Sequence, residues 1–219
     1  MLDEVAQHKG TLTTFKAEAG GPVLGRGMFP ALDGMVTYAM VRKAKPRRII
    51  EIGSGNSTYF LARGVKDNGL GTITCIDPEP RRDIIDLDVD FKPRLMNNQD
   101  ADLASTLEAG DILFIDSSHI MLPGMDVDIQ FNRLFPRLKP GVLVHIHDIF
   151  LPDGYPQHWE NRHYSEQGVL VGWLVSRYFD IVWPAHYAVA RHGDRLEAAL
   201  GDVAPVRQGG SMWLRRAGS

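Results

Sequence analysis

The sequence predicts an α/β fold, a doubly wound and mainly parallel sheet covered by helices on both faces. Short apolar runs alternate along the chain with stretches of helical spacing, an order typical of parallel strands joined by right-handed crossovers. The runs are almost continuously apolar, as in strands buried on both faces. The chain has 219 residues, 44% of them hydrophobic, which is enough for one domain with a sizeable core.

The first half of the chain supplies these elements in order. Residues 1–30 end in the glycine-rich "GGPVLGRGMFP" and are predicted to form an N-terminal segment, a cap or an oligomer contact. The domain itself spans residues 31–219. It begins with a helix over 31–44, which stops before Pro46 because a proline disfavours helix in the residue before it. A strand in "RRIIEIG", a helix in "NSTYFLARGVKD" and a strand in "GTITCID" follow.

The second half continues the alternation. We expect a weaker strand in "KPRLMNN", a strong one in "DILFID", a helix in "MDVDIQFNRLFPRL" and a strand in "VLVHIHDIF". After the loop "LPDGYPQHWENRHY" come a helix in "SEQGVLVGWLVSRY" and two further strands, "FDIVWPAHYAVAR" and "SMWLRRA". No internal repeat and no second domain boundary is visible in the sequence.

Composition excludes several classes of partner. The net charge of −3 argues against nucleic acid and against an anionic membrane, because both select a basic surface. No apolar run approaches the roughly 20 residues that span a bilayer, and no signal peptide is visible. The one cysteine, Cys75, cannot pair within the chain. These features predict a cytoplasmic protein.

The ends of the predicted strands suggest a cofactor. Glu51 ends the first strand and precedes the glycine pair of "EIGSGNST", where a pyrophosphate would meet a negative charge. Thr58 replaces the third glycine of a nicotinamide fingerprint. Asp77 ends the second strand, where a carboxylate can accept both hydroxyls of a ribose. A nucleoside carrying a cationic amino acid, S-adenosylmethionine, fits this pattern.

The ordered motifs "IIEIGSGNST", "CIDPEP", "GDILFIDSSH", "LFPRLKPGVLVHIHDIFLPDGYP" and "YSEQ" resemble the class I S-adenosylmethionine-dependent methyltransferases. More narrowly, the sequence is similar to the group called methyltransferase domain 24. The resemblance implies an enzyme with a seven-stranded sheet whose last strand, here "SMWLRRA", is inserted antiparallel. It covers about residues 31–179.

The resemblance also implies roles for particular residues. The loop around the methionine part of the cofactor would comprise Glu51, Gly53, Ser54 and Gly55, with Ser57 capping the helix where many members have a third glycine. Asp77 would hold the ribose. Asn98 and Asp100 would lie near the adenine, and Asp116 would lie beside the transferred methyl group.

Acidic and imidazole groups at the fourth and fifth strand ends predict the reaction centre. Asp116, His147 and Asp148 would converge at one sheet edge, and metal-dependent O-methyltransferases have their metal ligands at such positions. Histidine as the second ligand makes Mn²⁺, Fe²⁺ or Zn²⁺ as plausible as Mg²⁺. In the metal-free alternative, His119 and His147 act only as bases and hydrogen-bond donors. In both cases His119 is the expected proton acceptor.

Two neighbouring features complete the expected site. His145 alternates with Ile146 along the fifth strand and is predicted to pack in the core. The loop over 151–164 is long and aromatic, as lids often are. Tyr155, Trp159 and Tyr164 are candidate substrate contacts.

The sequence therefore predicts a methyltransferase that uses S-adenosylmethionine and acts on a small molecule, at a hydroxyl group. Two alternatives remain open. One is a non-haem iron oxygenase on the same fold, since two histidines and a carboxylate can form a facial triad and the related cephalosporin-hydroxylase group combines such chemistry with this fold. The other is a cofactor-binding protein without catalysis. The acceptor's identity and the oligomeric state are not fixed by the sequence, and a homo-oligomer remains possible.

Overall fold

The computed structural model describes residues 1–15 and 20–218. The part of the expected N-terminal segment at 16–19 lies outside the described residues. Seven strands form one sheet: β1 (Arg48–Ile52), β2 (Thr72–Ile76), β3 (Asp90–Lys92), β4 (Ile112–Ile115), β5 (Leu143–Ile146), β6 (Phe179–Pro184) and β7 (Met212–Arg216).

The strand order is β3-β2-β1-β4-β5-β7-β6. The first five strands pair in parallel, and β7 lies antiparallel between β5 and β6. This confirms the predicted doubly wound, mostly parallel, seven-stranded sheet with an inserted final strand. The reversal of strand order beside β1 and β4 is where ligands bind in such sheets.

Helices cover both faces of the sheet: α1 (Leu2–Ala6), α2 (Lys9–Thr14), α3 (Ala31–Ala44), α4 (Asn56–Asn68), α5 (Asp126–Ile129), α6 (Glu166–Val175) and α7 (Ala185–Leu200). The buried side chains form two apolar clusters. One lies between the sheet and α3, α4 and α7, and the other lies on the opposite face, around α5, α6 and the turns near Phe131 and Phe135.

Several boundaries differ from the sequence expectation. The third strand lies at Asp90–Lys92 instead of 92–98. The stretch expected to continue as a strand after Pro184 is helix α7, because its alanines and hydrophobic side chains pack against α1 and β6. The helix expected over 125–138 divides into α5, a π-helical turn over Gln130–Leu134 and a 3₁₀ turn. Residues 1–14, expected to be part of a loose segment, form α1 and α2.

Candidate active site

The carboxyl ends of β1, β4 and β5 meet at one edge of the sheet, because these strands are parallel neighbours. Register aligns Glu51 of β1 with Phe114 of β4, and Phe114 with His145 of β5. Asp116 follows β4 directly, and His147 and Asp148 follow β5. The expected convergence of the two strand ends is therefore present in the structure.

Glu51 is completely buried beneath the glycine loop. Its carboxylate accepts hydrogen bonds from Ser57 Oγ at 2.8 Å and from Thr58 Oγ1 at 2.7 Å, and Cys75 Sγ lies 3.2 Å away. Burial raises the pKa of Glu51 to about 7, although these hydrogen bonds favour the charged form. The acid is thus close to its titration point at neutral pH.

The loop between β1 and α4 is fixed by its own backbone. Gly53 has φ +83°, and a Cβ there would lie 1.8 Å from the carbonyl oxygen of Asp116, so only glycine fits. Ser54 N–H donates to Asp77 Oδ2 at 2.6 Å, and Glu79 N–H donates to Asp77 Oδ1 at 2.7 Å. Asp77 therefore ties the glycine loop to the end of β2.

The polar groups of this loop differ in whether they are already paired. Gly55 N–H donates to the hydroxyl of Thr58 at 3.0 Å. The Ser54 hydroxyl is buried and has no hydrogen-bond partner among the described residues. An orphaned hydroxyl at this point fits a polar ligand lying along the loop.

The two residues expected near the adenine differ in their surroundings. Asp100 is buried. Its carboxylate accepts hydrogen bonds from the Arg94 guanidinium at 2.6 and 2.7 Å and from the Asn97 N–H at 2.7 Å. Burial opposes the charge, but Arg94 outweighs it and lowers the pKa of Asp100. Asn98 is exposed. In this structure Asp100 organises its own turn, and Asn98 alone is left free for a ligand.

Four side chains form an alternating ring beyond β4 and β5, which we call the acid–imidazole ring: Asp116, His119, Asp148 and His147. His119 Nε2 lies 3.4 Å from Asp116 Oδ1 and 3.6 Å from Asp148 Oδ2. His147 Nδ1 lies 3.5 Å from Asp116 Oδ1 and 3.2 Å from Asp148 Oδ1. All four predicted residues are thus brought together.

Two further carboxylates support the ring from outside. Glu166 Oε2 lies 2.9 Å from His119 Nδ1, and Asp33 Oδ2 lies 3.4 Å from His147 Nε2. Neither residue is among the site residues named from the sequence. Asp33 could have been noticed as an acid within the apolar run of α3, whose residues 32–41 are all buried.

The carboxylates set the charge of the ring. Burial disfavours the charged form of both imidazoles. Even so, Asp116 and Glu166 raise the pKa of His119 to about 10, and Asp116, Asp148 and Asp33 raise the pKa of His147 well above its usual value. Burial also acts against the charge of Asp116, but the two imidazoles lower its pKa well below the usual range. The carboxylates therefore favour the imidazolium form of both histidines.

The backbone at the ring is strained. His119 has φ +62° and Asp148 has φ +56°, in the left-handed region that side chains other than glycine seldom adopt. Strain of this kind gathers at functional sites, where the surrounding structure enforces it. Here Gly210 N–H binds Asp33 Oδ2 at 2.7 Å, and Ile149 N–H binds the Gly210 carbonyl at 2.9 Å, so the C-terminal strand region holds the segment carrying Asp148.

The metal expectation lacks structural support. Within residues 1–15 and 20–218, no group of three or more His, Cys, Asp or Glu side chains could hold a metal ion as they stand. The imidazole nitrogens that face Asp116 and Asp148 lie 3.2 to 3.6 Å from their carboxylate oxygens. Asp116, His147 and Asp148 are instead matched to one another by charge.

A cavity of about 720 Å³ opens beside the ring at Asp148, lined also by Phe150 and Trp159. Of the three expected substrate contacts, Trp159 lines this cavity. Tyr164 packs against the His119 ring with centroids 4.6 Å apart. The Tyr155 hydroxyl accepts the Gln167 N–H at 3.1 Å. Tyr164 thus supports the acid–imidazole ring and Tyr155 supports α6, and neither lines the cavity.

His145 is buried as predicted. Its Nε2 lies 2.8 Å from Ser211 Oγ, and its ring stacks on Phe114 at 3.6 Å between centroids. Burial and the neighbouring His147 charge lower its pKa well below the usual value.

No helix in the described part of the chain is long and apolar enough to cross a bilayer.

Comparison with known proteins agrees with this geometry. Residues 50–149 match the family model of the methyltransferase domain. No curated protein matches the sequence.

Solved structures share the fold at low identity. A protein from Klebsiella pneumoniae assigned as an O-methyltransferase is 14% identical with a TM-score of 0.56, covering 100% of this chain and 90% of its own. An O-methyltransferase from Bacillus cereus in complex with SAH is 14% identical with a TM-score of 0.54, covering 99% and 90%. The cofactor-bound Rv0187 from MTB is 14% identical with a TM-score of 0.52, covering 98% and 90%.

The sequence resemblance to the class I methyltransferases is thereby confirmed: residues 50–149 match the methyltransferase domain, and the chain shares its fold with these solved structures.

Proposed function

We propose that this protein transfers the methyl group of S-adenosylmethionine to a hydroxyl of a small molecule. The observation that carries the proposal is the acid–imidazole ring, which lies at the carboxyl edge of the sheet beside the glycine loop. When bound, the cofactor supplies a methyl group on a sulfonium, already activated for displacement by an oxygen nucleophile.

The residues of the cofactor loop suit that ligand. Glu51, with a pKa of about 7, can take the carboxylate form when a cationic group is bound near it. The Ser54 hydroxyl is buried without a partner and can donate or accept a hydrogen bond. Asp77 holds the loop in shape through Ser54 N–H and can accept from a ribose on its remaining lone pairs.

The acid–imidazole ring serves the acceptor. Asp148, which faces the cavity, can accept the hydrogen bond of an acceptor hydroxyl and so orient its oxygen. His119 is the proposed proton acceptor through Nε2. Because its pKa is about 10, only the neutral fraction can accept a proton, and that fraction grows with pH. His147 is the proposed positioning residue, fixed between Asp33 and the ring carboxylates.

A divalent metal carries no step in this proposal, because the residues as placed form no group suited to one. The iron-dependent alternative has no further observation in its favour. The non-catalytic alternative does not account for four ionisable side chains gathered in one ring, of which His119, His147 and Asp148 are buried and two have a strained backbone.

Calorimetric titration of S-adenosylhomocysteine tests the cofactor assignment. Wild type should bind, Glu51→Gln and Asp77→Asn should bind at least about tenfold more weakly, and the exposed Glu160→Gln should match wild type. Methyl transfer from labelled S-adenosylmethionine to a panel of hydroxylated acceptors follows, with and without EDTA. Equal affinity in all four proteins would contradict the assignment, and activity lost to EDTA and restored by one metal would contradict the metal-free step.

A further inference from the structure

The cavity beside Asp148 is large enough for an acceptor. Its volume, about 720 Å³, lies within the roughly 300–1,000 Å³ of small-molecule sites. Four parts of the chain enclose it: the segment around Leu24 and Met28, the loop carrying Phe150 and Trp159, helix α7 and the turn before β7. We call it the acceptor cavity.

Most of the wall of the acceptor cavity is apolar. Leu24, Met28, Phe150, Trp159 and Val189 line it together with three prolines. The Phe150 and Trp159 rings meet edge to face, with centroids 5.1 Å apart, and both contribute apolar ring surface to the wall. Such a wall favours a flat, largely apolar ligand.

Among residues 1–15 and 20–218, Arg207 is the only Arg or Lys that lines the cavity. It is exposed, and no hydrogen bond or ion pair involves its side chain within residues 1–15 and 20–218. The lining imidazole of His186 differs, since it lies 3.0 Å from Asp153 Oδ2. Arg207 therefore supplies the cavity with an unmatched guanidinium, which suits bidentate recognition of an anion.

Charge is divided between the two ends of the cavity. Asp148 is the only acid that the described part of the chain contributes to the lining, and it belongs to the acid–imidazole ring, whose carboxylates would repel a bound anion. A Cβ on Gly210 would lie 3.4 Å from Asp148 Oδ1, so Gly210 marks the end of the cavity that adjoins the acid–imidazole ring. Arg207 precedes Gly210 by three residues, a reach of at most about 11 Å. The residues that mark the two ends therefore lie three positions apart in the segment before β7.

We infer that the acceptor is a small aromatic hydroxy acid, with its hydroxyl at Asp148 and its anionic group at Arg207. This rests on the proposed function for the identity of the site as an acceptor site. Phe150 and Trp159 contact the aromatic ring of the acceptor, between the Asp148 end and the Arg207 end of the cavity. Arg207 is then the residue that determines specificity for an anion, through binding and not through the chemical step.

Direct binding tests the inference without turnover. The probes are 4-hydroxybenzoate, 3,4-dihydroxybenzoate and 4-hydroxycinnamate, each paired with its neutral amide and titrated calorimetrically into wild type, Arg207→Gln, Arg207→Lys and the exposed control Arg195→Gln. For at least one pair, wild type and the control should bind the acid at least tenfold more tightly than the amide. Arg207→Gln should lose that preference, and Arg207→Lys should keep part of it.

Equal binding of acid and amide by wild type, absence of binding by every probe, or a preference unchanged in Arg207→Gln would overturn the inference. Because Arg207 is exposed, its variants should keep the wild-type melting temperature, which is checked first. If the acid preference depends on Arg207 while no methyl group is transferred and S-adenosylhomocysteine does not bind, the ligand class stands and the proposed function fails.

Discussion

Replacing Glu51 by glutamine should stabilise the cofactor-free protein at neutral and alkaline pH. Glutamine keeps the shape of Glu51 and can still exchange hydrogen bonds with the hydroxyls of Ser57 and Thr58, but it carries no charge. The buried carboxylate of wild type must be ionised away from water once the pH exceeds its pKa of about 7. The variant avoids that cost.

The magnitude follows from the difference between the folded and unfolded pKa. Burial raises the pKa of Glu51 from 4.5 to about 7, and each pKa unit corresponds to about 1.4 kcal/mol. Between these pH values the native protein keeps a proton that the unfolded chain has released, so its free energy of unfolding falls as pH rises. The loss amounts to about 3 kcal/mol by pH 8 and stops growing above the folded pKa.

Urea denaturation at several pH values between 4.5 and 8.5, followed by tryptophan fluorescence, measures this effect. The difference in free energy of unfolding between Glu51→Gln and wild type should grow by about 3 kcal/mol across that range. The exposed control Glu160→Gln should stay within about 0.5 kcal/mol of wild type throughout. A Glu51→Gln difference that does not change with pH would refute the reasoning, because the buried carboxyl would then not titrate in this window.

Three further outcomes are expected. If His119 accepts the proton, kcat/KM of wild type rises with pH until about pH 10. His119→Gln should lose that rise and should be at least about 100-fold slower. A flat wild-type profile above pH 7 would exclude this role. Asp33→Asn should lower the free energy of unfolding by about 1–3 kcal/mol in urea titrations, since backbone N–H groups and His147 lose a buried charged partner; an unchanged midpoint would argue against this. Gly53→Ala should cost at least about 3 kcal/mol, because its Cβ meets a carbonyl oxygen at 1.8 Å, whereas Gly172→Ala, in open space on α6, should be neutral or stabilising.

The sheet and the acid–imidazole ring could be predicted because their signals are local. Each central strand is an apolar run, and the acids and imidazoles stand where the runs of β4 and β5 end. Parallel pairing then brings Asp116, His119, His147 and Asp148 to one edge without further information.

The remaining features depend on contacts distant in sequence. Asp33 acquires its role from Gly210, 177 residues later, and nothing near it in the sequence points to that partner. Helix α7 follows β6 and Pro184 directly, and its first residues include aromatic and apolar side chains. Local sequence preference therefore favoured a longer strand, whereas tertiary packing stabilises a helix there. The acceptor cavity joins segments around residues 24–31, 150–159 and 204–210, and only the fold reveals that they are neighbours.

The bond between Asp33 and Gly210 also bears on how the chain is made. Ribosomes release the N-terminus first, so α3 and the parallel strands emerge long before the turn that carries Gly210. Strand β7 must then enter between β5 and β6, and only that step supplies the N–H groups that Asp33 accepts. A nascent chain that has already folded β1 to β5 thus lacks the partners of Asp33 until the segment carrying Gly210 has emerged, so the surroundings of His147 are completed late.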